Sequence, residues 1–470
     1  MKWTGIASWA AIAVVCLGLA TAGYEGSASS GENLAWDEFL DTLQERALHY
    51  FLDNTDVTTG LTPDRAPTES ASSIAAVGFA LASYAIAAER NIITRDEAAA
   101  RAMNTLRFLA RLPQHSHSES SSGYKGFFYH FLGIRTGTRA GRCELSTIDT
   151  GLLMAGVLFC ESYFDKNSSI ESSIRSLADT LYRRVDWRWA MADQPGLTLA
   201  WRPELGFSQD IWRGYNEAMI LYILALGSPT HPVPERVWDV WTSTYVWAEY
   251  YGYEFVSFGP LFGHQYSHCW IDFRGIQDSY MKERGSDYFE NSRRATYSQR
   301  AYAEANPMAW RDYSDRIWGF TASDGPGDTS LVVDGRRLSF WGYRARGVSF
   351  DWVADDGTIA PTASAGSVVF APEICIPALK EMRKKYGDRL WGKYGFNDAF
   401  NPTFPAARVD DAGWFGHDYI GIDQGPIVLM IENLRSGFVW NVMKENPYIV
   451  RGLKRAGFSG GWLSERQFEN

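Results

Sequence analysis

Two kinds of helical segment alternate along the chain, and this alternation limits the folds that it can adopt. Residues 35–54 and 94–112 are amphipathic and carry charged faces. The other kind is nearly all apolar and rich in small residues, and it occurs at 72–88, 150–160, 218–226 and 426–431. A helix that is apolar all round must be covered on all sides, whereas an amphipathic helix keeps one face in water. The sequence therefore predicts an all-α fold with an inner and an outer layer of helices.

The closed arrangement that best satisfies these two layers is an (α/α)6 double-layered helical toroid. Strand-like stretches such as 329–335 are then expected to be short strands in the loops between helices. Further helices are predicted at 170–187, 233–251, 371–387 and 425–443. A helical-repeat solenoid is the rival architecture, but it requires a fixed sequence period, and none is visible.

The first 22 residues have the organisation of a secretory signal. Lys2 is followed by an apolar stretch at 6–20, and Ala20-Thr21-Ala22 offers a small-residue cleavage site. We expect 1–22 to be a signal peptide, 23–34 a flexible leader and 35–465 a single catalytic domain, in a periplasmic or secreted protein. Lipidation at Cys16 is the less favoured alternative, since a valine precedes that cysteine. No later stretch has about 18 uninterrupted apolar residues, so no membrane span is predicted.

The amino-acid composition excludes some classes of binding partner. The formal net charge is -10, and no basic stripe is present, which argues against nucleic acid. Aromatic residues make up 15% of the chain, and side chains of this kind can stack on the apolar faces of sugars. The four cysteines after residue 22 lack zinc-binding spacing, and whether any pair forms a disulfide stays open. We expect a monomer without metal or cofactor.

Acidic residues stand at the starts of several apolar helices. They are Glu144, Asp149, Glu217, Glu373, Asp418 and Asp423. Taken singly, each is explained as a helix cap or as a complement to the helix dipole. In a toroid of alternating hairpins, however, the inner helices run parallel, so their N-termini share one rim and the acids converge there. Tryptophans that could edge such a carbohydrate cleft are Trp201, Trp212, Trp270 and Trp414.

Glycoside hydrolysis needs a carboxylic acid to protonate the leaving oxygen and a carboxylate to activate water or to attack. Glu217 lies between Tyr215 and an apolar helix, where burial should raise its pKa and keep it protonated near neutral pH. Asp423 lies in a glycine-rich, polar approach, which suits a base that stays ionised. Asp149 is the next candidate for the acid.

Five long motifs resemble the glycoamylase-like domain family. They are ELSTIDTGLLMAG, GYNEAMILYILALGSPTHP, GHQYSHCWIDFRG, YGFNDAFNPT and IGIDQGPIVLMIEN. The resemblance extends over about residues 35–460, and characterised bacterial members include the endo-β-1,2-glucanases of glycoside hydrolase family 144.

This resemblance implies an (α/α)6 barrel and metal-free, inverting hydrolysis of linear β-1,2-glucan to sophorooligosaccharides. It implies that Glu217 is the acid and Asp423 the base, and that Asp149 and Glu144 assist or bind substrate. The remaining candidates for substrate binding are Trp212, Tyr215, Asn216, His264, Gln265, Arg344 and Trp414. For His264 and Arg344, hydrogen bonding or ion pairing within the protein is the alternative.

Other functions stay open at this point. Exo action, or a different linkage, would use the same fold. A polysaccharide lyase on a similar toroid would need basic residues for uronate substrates, which the acidic balance disfavours. A non-catalytic glycan-binding protein would keep the aromatic residues but would not need the acids.

Overall fold

The computed structural model describes residues 37–117, 120–405 and 413–464. The predicted signal segment and leader lie outside these residues. Within them the helices are α1 (Glu38–Asn54), α2 (Ile74–Glu89), α3 (Arg95–Arg111), α4 (Thr147–Tyr163), α5 (Ser169–Arg183), α6 (Met219–Gly227), α7 (Arg236–Thr242), α8 (Phe262–Gln265), α9 (Ser279–Glu283), α10 (Tyr288–Ala305), α11 (Pro361–Ala365), α12 (Pro372–Tyr386), α13 (Gly421–Ser436), α14 (Phe438–Lys444), α15 (Pro447–Arg455) and α16 (Gly461–Ser464). Two short 3-10 helices lie at Trp189–Met191 and Gly387–Arg389.

The strands are short, at two to five residues each. They are β1 (Arg65–Ala66), β2 (Ser72–Ser73), β3 (Gly123–Tyr124), β4 (Phe127–Phe128), β5 (Phe131–Leu132), β6 (Leu145–Ser146), β7 (Ala200–Arg202), β8 (Gly206–Phe207), β9 (Trp247–Tyr250), β10 (Tyr253–Val256), β11 (Ala322–Ser323), β12 (Thr329–Val333), β13 (Arg336–Phe340), β14 (Arg344–Ala345), β15 (Gly347–Val348), β16 (Val353–Ala354), β17 (Trp391–Gly392), β18 (Gly395–Phe396), β19 (Phe400–Asn401), β20 (Trp414–Phe415) and β21 (Tyr419–Ile420). They form antiparallel pairs and one three-stranded sheet, β6-β7-β8. All these elements belong to one compact unit, Glu38–Asn470.

The predicted helical fold is confirmed, including its two kinds of helix. Every residue of α6 is buried, and so is α2 from Ile74 to Ala87. By contrast, α5 buries one stripe and exposes mainly hydroxyl-bearing side chains, together with Arg183, on the other side. Apolar helices therefore lie inside and amphipathic helices outside, because only the latter have a face that water can solvate.

Contacts between buried segments follow a closed cyclic order. Helix α13 packs on α2, α2 on α4, and α4 on α6. The Ile220 amide of α6 then donates to Ser267 Oγ just after α8, at 2.9 Å. Gln265 of α8 donates to the Ala363 carbonyl of α11 at 2.8 Å, and α11 packs on α13. Six segments thus contact one another in sequence and return to the first, an order that favours the predicted toroid.

Outer helices cover this cycle. Helix α1 packs on α2 and α13, α3 packs on α2 and α5, and α5 packs on α4. Farther along the chain, α15 packs on α6 and α12 packs on α11. In the described part of the chain, no helix is both long enough and apolar enough to cross a membrane.

Three predicted boundaries are wrong. The segment 233–251 is not one helix: α7 ends at Thr242, and Trp247–Tyr250 pairs with β10 as a hairpin strand, which suits its aromatic residues. The helix predicted at 425–443 is two helices: α13 begins earlier, at Gly421, with Pro426 inside it, and α14 follows from Phe438. Helix α6 begins at Met219, so Glu217 stands before the helix and not within its first turn.

Glycines set the spacing of the inner helices. A Cβ added to Gly156 of α4 would lie 2.1 Å from the Gly78 carbonyl oxygen of α2, because the two backbones are in direct contact. A Cβ added to Gly151, also in α4, would meet its nearest neighbour, Leu221, at 3.5 Å, an ordinary contact distance.

We expect Gly156→Ala to destabilise the protein by roughly 3 kcal/mol, since overpacking two rigid backbones forces them apart. Gly151→Ala is the matched control, and it should be neutral or stabilising by up to about 1 kcal/mol, because alanine favours helix more than glycine does. Urea denaturation measures both. Equal stability of the two variants would contradict the close contact between α2 and α4.

Candidate active site

A cavity of about 610 Å³, lined by both charged and apolar side chains, opens where the inner helices begin. Its walls include residues at or just before the N-termini of five helices: Ser73 for α2, Ser146 and Asp149 for α4, Glu217 for α6, Phe262 for α8, and Ile422 for α13. The prediction that these N-termini converge is therefore confirmed, and Glu144, Asp149 and Glu217 share one cavity.

The backbone around Glu217 is held on both sides. Asn216 Oδ1 accepts the Ala218 amide at 2.9 Å, and the Ser267 hydroxyl donates to the Glu217 carbonyl at 3.2 Å. The Glu217 side chain is half-buried and lines the cavity. Burial, together with the negative charge of Asp149, raises its pKa to about 7. A carboxyl group in this position carries a proton near neutral pH and can donate it.

Ser146 and Asp149 form the predicted capping arrangement at the start of α4. The Asp149 amide donates to Ser146 Oγ at 3.2 Å, and the Ser146 hydroxyl donates to Asp149 Oδ2. This exchange holds the Asp149 carboxylate at the cavity wall, where it is only 6% exposed. Ser146 therefore caps the N-terminus of α4, and the same arrangement places the negative charge of Asp149 close to Glu217.

His130 links two of the acids, and the sequence did not single it out. Its Nδ1–H donates to Glu144 Oε1 at 2.8 Å, and its Nε2 lies 3.6 Å from Asp149 Oδ2. Burial disfavours the imidazolium, but Asp149 and Glu144 outweigh that effect and raise the His130 pKa to about 9. The hydrogen bond from His130 lowers the Glu144 pKa to about 2, and Arg202 binds the other Glu144 oxygen at 2.9 Å.

A second group of carboxylates surrounds one arginine. Arg65 NH1 contacts Asp324 at 2.8 Å and Asp418 at 3.6 Å, and Arg65 Nε contacts Asp64 at 3.2 Å. Arg65 and Asp64 line the cavity directly. One guanidinium thus balances several acids, so this wall of the cavity is strongly acidic.

Asp423 lies within this acidic group, but not in the solvated setting that the sequence suggested. Asp423 and Asp398 are 4% and 3% exposed, and each has a buried carboxylate oxygen without a hydrogen-bond partner among the described residues. Burial and the adjacent Asp398 raise the Asp423 pKa, while burial and Asp324 raise that of Asp398. The solvated setting expected for Asp423 is therefore wrong, because its carboxyl is buried, and burial favours the protonated form.

Two tyrosines of the cavity wall lie near this pair, Tyr266 and Tyr343. Burial and the nearby Asp423 charge raise the pKa of the Tyr266 phenol. Tyr343 is 56% exposed, and the nearby charges of Asp423 and Asp398 raise the pKa of its phenol. Both phenols therefore stay protonated and can donate hydrogen bonds in the cavity.

Several predicted binding residues belong to the core instead. His264 is fully buried, its Nε2 lies 3.1 Å from the Phe258 carbonyl, and burial lowers its pKa to about 4. Gln265 joins α8 to α11. Trp270 is fully buried and stacks on Phe79. An apolar or aromatic flank in the sequence does not distinguish a core position from a cavity wall, which is why these assignments were wrong.

The other predicted residues divide between the cavity and the surface. Trp212 lines the cavity, with its indole N–H donating to Thr147. Arg344 stacks over Trp341. Trp414, in β20, is paired with Asn401 of the neighbouring strand β19. Neither Arg344 nor Trp414 lines the cavity. Trp201 stacks on Tyr124 away from the cavity wall, and Glu373 is half-exposed and bound to Arg293 and Tyr297.

Tyr215 and Asn216 line a second cavity of about 480 Å³, called here the side cavity. It is bounded by Arg213, Asn216, Phe258, Phe262 and Trp352, among others. The cysteines of the described residues, Cys143, Cys160, Cys269 and Cys375, carry free thiols.

The comparisons with known proteins agree with this geometry. The model of the Glycoamylase family, described as "Putative glucoamylase", matches residues 210–447. The chain belongs to the Glycoamylase family. A crystal structure from Bacteroides uniformis with the same description is 32% identical, with a TM-score of 0.79, covering 91% of this chain and 98% of that one.

Two further relatives of this Glycoamylase chain have named activities. The endo-β-1,2-glucanase from Chitinophaga pinensis, solved with sophorotriose and glucose, is 27% identical with a TM-score of 0.79 and covers 91% of this chain and 99% of that one. The exo β-1,2-glucooligosaccharide sophorohydrolase (non-reducing end) of Parabacteroides distasonis is 27% identical over 453 residues. That match covers 89% of this chain but 58% of the curated relative, so the chain spans little more than half of its length.

The raised Glu217 pKa predicts a pH-dependent effect of Glu217→Gln on stability. Below the ordinary value of 4.5, the carboxyl is neutral in both the folded and the unfolded protein. As the pH rises from 4.5 to about 7, the unfolded state ionises first, so the native carboxyl becomes destabilising. We expect Glu217→Gln to raise the melting temperature by roughly 2–5 °C at pH 8 and to leave it unchanged at pH 4.

Half-exposed Glu373 provides the matched control, since Glu373→Gln removes the same charge outside the cavity. Calorimetry at both pH values measures the effect. A melting temperature for Glu217→Gln that falls at pH 8, or that changes equally at both pH values, would contradict a carboxyl whose pKa is raised in the folded protein.

Proposed function

We propose that this protein is a glycoside hydrolase that cleaves β-1,2-glucan to sophorooligosaccharides, with Glu217 as the general acid. The observation that carries this proposal is the position of the Glu217 carboxyl. It lines the cavity, has a pKa of about 7, and shares the cavity wall with Glu144, whose pKa is lowered to about 2. The named activities of the relatives from Chitinophaga pinensis and Parabacteroides distasonis support the linkage.

In this mechanism Glu217 donates its proton to the glycosidic oxygen as the bond to the anomeric carbon breaks. Asp149 acts through its charge: by raising the Glu217 pKa it keeps the donor protonated. Glu144 stays ionised and, with His130 and Arg202, presents a fixed polar wall to the sugar hydroxyls. The catalytic and the binding acids are thus separated by their environments.

The base is the Asp398–Asp423 pair rather than Asp423 alone. A carboxyl and a carboxylate that share one proton carry a single negative charge, and the pair can take up a second proton. The pair removes a proton from the attacking water, directly or through a substrate hydroxyl. Its raised pKa makes it a stronger base than an exposed aspartate.

Inversion follows from the positions of the two catalytic groups in the cyclic order of helices. Glu217 precedes α6 and Asp423 lies in α13, and two inner segments separate these helices in either direction around the cycle. In an (α/α)6 toroid this order sets the two groups on opposite sides of the ring, with Glu217 on the cavity wall and Asp423 buried behind it. Inverting enzymes need about 6.5–9.5 Å between carboxyls for a water, whereas retaining enzymes need about 5–5.5 Å.

We propose that the enzyme cleaves within the glucan chain (endo action). We also propose that residues 1–22 are a signal peptide that directs export to the periplasm or the medium, and that the protein is a monomer. Exo action is the second candidate, because the curated relative from Parabacteroides distasonis is an exo sophorohydrolase acting at the non-reducing end. Early products distinguish the two: endo action gives a ladder of sophorooligosaccharides, whereas that exo action gives sophorose alone.

The test is hydrolysis of linear β-1,2-glucan, with laminarin and alginate as comparison substrates, by wild type, Glu217→Gln and Glu373→Gln. We expect activity on β-1,2-glucan, a loss on the order of 10²-fold or more for Glu217→Gln, and no loss for Glu373→Gln. Substrate binding should survive in Glu217→Gln because the shape is kept. Near-normal turnover by Glu217→Gln would show that the acid is another residue, with Asp149 next in line.

Proton NMR of the same reactions reports the stereochemistry and the reaction class. An inverting enzyme releases the α-anomer first from a β-1,2 linkage. Early β-anomer would overturn the pairing of Glu217 with Asp398–Asp423. Unsaturated products from alginate would indicate a lyase, and binding without products would indicate a glycan-binding protein.

A further inference from the structure

We propose that the side cavity binds the continuation of the glucan chain whose scissile bond lies at Glu217, with Trp352 as its stacking platform. This inference rests on the proposed function and adds to it a second binding region outside the catalytic cavity. The occupant is the neutral, hydroxyl-rich substrate itself, reaching beyond the sugars held near Glu217.

The two cavities adjoin each other. Phe262 lines both of them. Trp212 lines the catalytic cavity and the next residue, Arg213, lines the side cavity; Tyr343 lines the catalytic cavity, and Ala345, two residues on, lines the side cavity. The side cavity is therefore within reach of a linear chain that leaves the catalytic cavity past Phe262.

The platform is an exposed indole on a firmly held hairpin. Trp352 is 41% exposed and lines the side cavity. It packs on the backbone of Gly259, where an added Cβ would lie 2.4 Å from its ring. The Ser349 amide donates to the Trp352 carbonyl at 2.8 Å, between the paired strands β15 and β16. An indole fixed in this way loses little conformational entropy when a sugar ring stacks on it.

Polar groups at the rim fit a neutral polyol. The Ser257 and Ser349 hydroxyls both donate to Asp351 Oδ1, which fixes that carboxylate beside Trp352. Arg213 is exposed and lines the same cavity. One cation and one anion next to an aromatic face suit sugar hydroxyls, whereas an anionic ligand would meet repulsion from Asp351.

Exposed apolar side chains cluster at the same place. Phe350 is 61% and Val353 is 54% exposed, next to Trp352 on the hairpin, but neither lines the side cavity. Phe350 therefore provides a matched control, because its removal deletes an exposed aromatic side chain of the same hairpin without altering the cavity wall.

The experiment compares KM and kcat on a long linear β-1,2-glucan and on a short β-1,2-linked tetrasaccharide. We expect Trp352→Ala to raise KM for the long glucan by ~10-fold, as for the loss of a buried aromatic contact, while kcat and the kinetics on the tetrasaccharide stay within ~2-fold. Trp352→Phe should restore most of the affinity. Asp351→Asn should weaken binding of the long glucan only. Phe350→Ala should match wild type on both substrates.

The outcomes separate the two proposals. If wild type hydrolyses neither substrate, the proposed function is wrong and this inference falls with it. If wild type is active and Trp352→Ala matches it on the long glucan, or loses equally on both substrates, the function stands and the side cavity is not a binding region. Circular dichroism of each variant excludes loss of folding as the cause.

Discussion

The proposed chemistry of this protein depends on the free-energy cost of ionising one carboxyl group, that of Glu217, next to buried helices. Glu217 stands just before an apolar helix, and the backbone around it is fixed by Asn216 and Ser267. Burial beside the cavity withholds water from the carboxyl, and the protonated form is favoured. A surface glutamate with the same helix behind it would be ionised at neutral pH. The burial that makes α6 an inner helix is thus also what makes Glu217 an acid.

The closed order of inner helices brings the other charges to the same place. Because α2, α4, α6, α8 and α13 all begin at the cavity, acids from distant parts of the chain line its walls. Their environments then separate them. A hydrogen bond from His130 keeps Glu144 ionised, Asp149 raises the Glu217 pKa, and Asp398 raises that of Asp423. Pairs of acids whose pKa values are pushed apart can divide the roles of donor and acceptor.

Much of this arrangement could be predicted from the sequence, because burial on all sides leaves a clear pattern. The apolar segments 72–88, 150–160 and 218–226 became α2, α4 and α6, and Glu217 was placed at the mouth of the right helix. The pattern failed where two environments look alike in sequence. His264 and Gln265 lie in an aromatic stretch that forms core, and the aromatic end of 233–251 forms a hairpin strand.

Residues that act through tertiary contacts left little signal. His130 lies on a short loop between strands, and its importance depends on Glu144 and Asp149, which only the folded chain brings beside it. Asp398 lies within the motif YGFNDAFNPT, but its pairing with Asp423 joins distant segments. The glycine-rich flanks of Asp423 suggested that it is solvated, and this prediction was wrong. Those glycines allow close packing instead, since Gly425 lies against Phe79.

The central claim is that Glu217 is protonated near neutral pH because of where it is buried. Carbon-13 NMR of the glutamate carboxyl carbons measures this directly, with the Glu217 signal assigned by its loss in Glu217→Gln. The account predicts a titration midpoint near 7, and a lower midpoint in Asp149→Asn, because that change removes the nearby negative charge. A midpoint near the ordinary 4.5 that is insensitive to Asp149→Asn would contradict it.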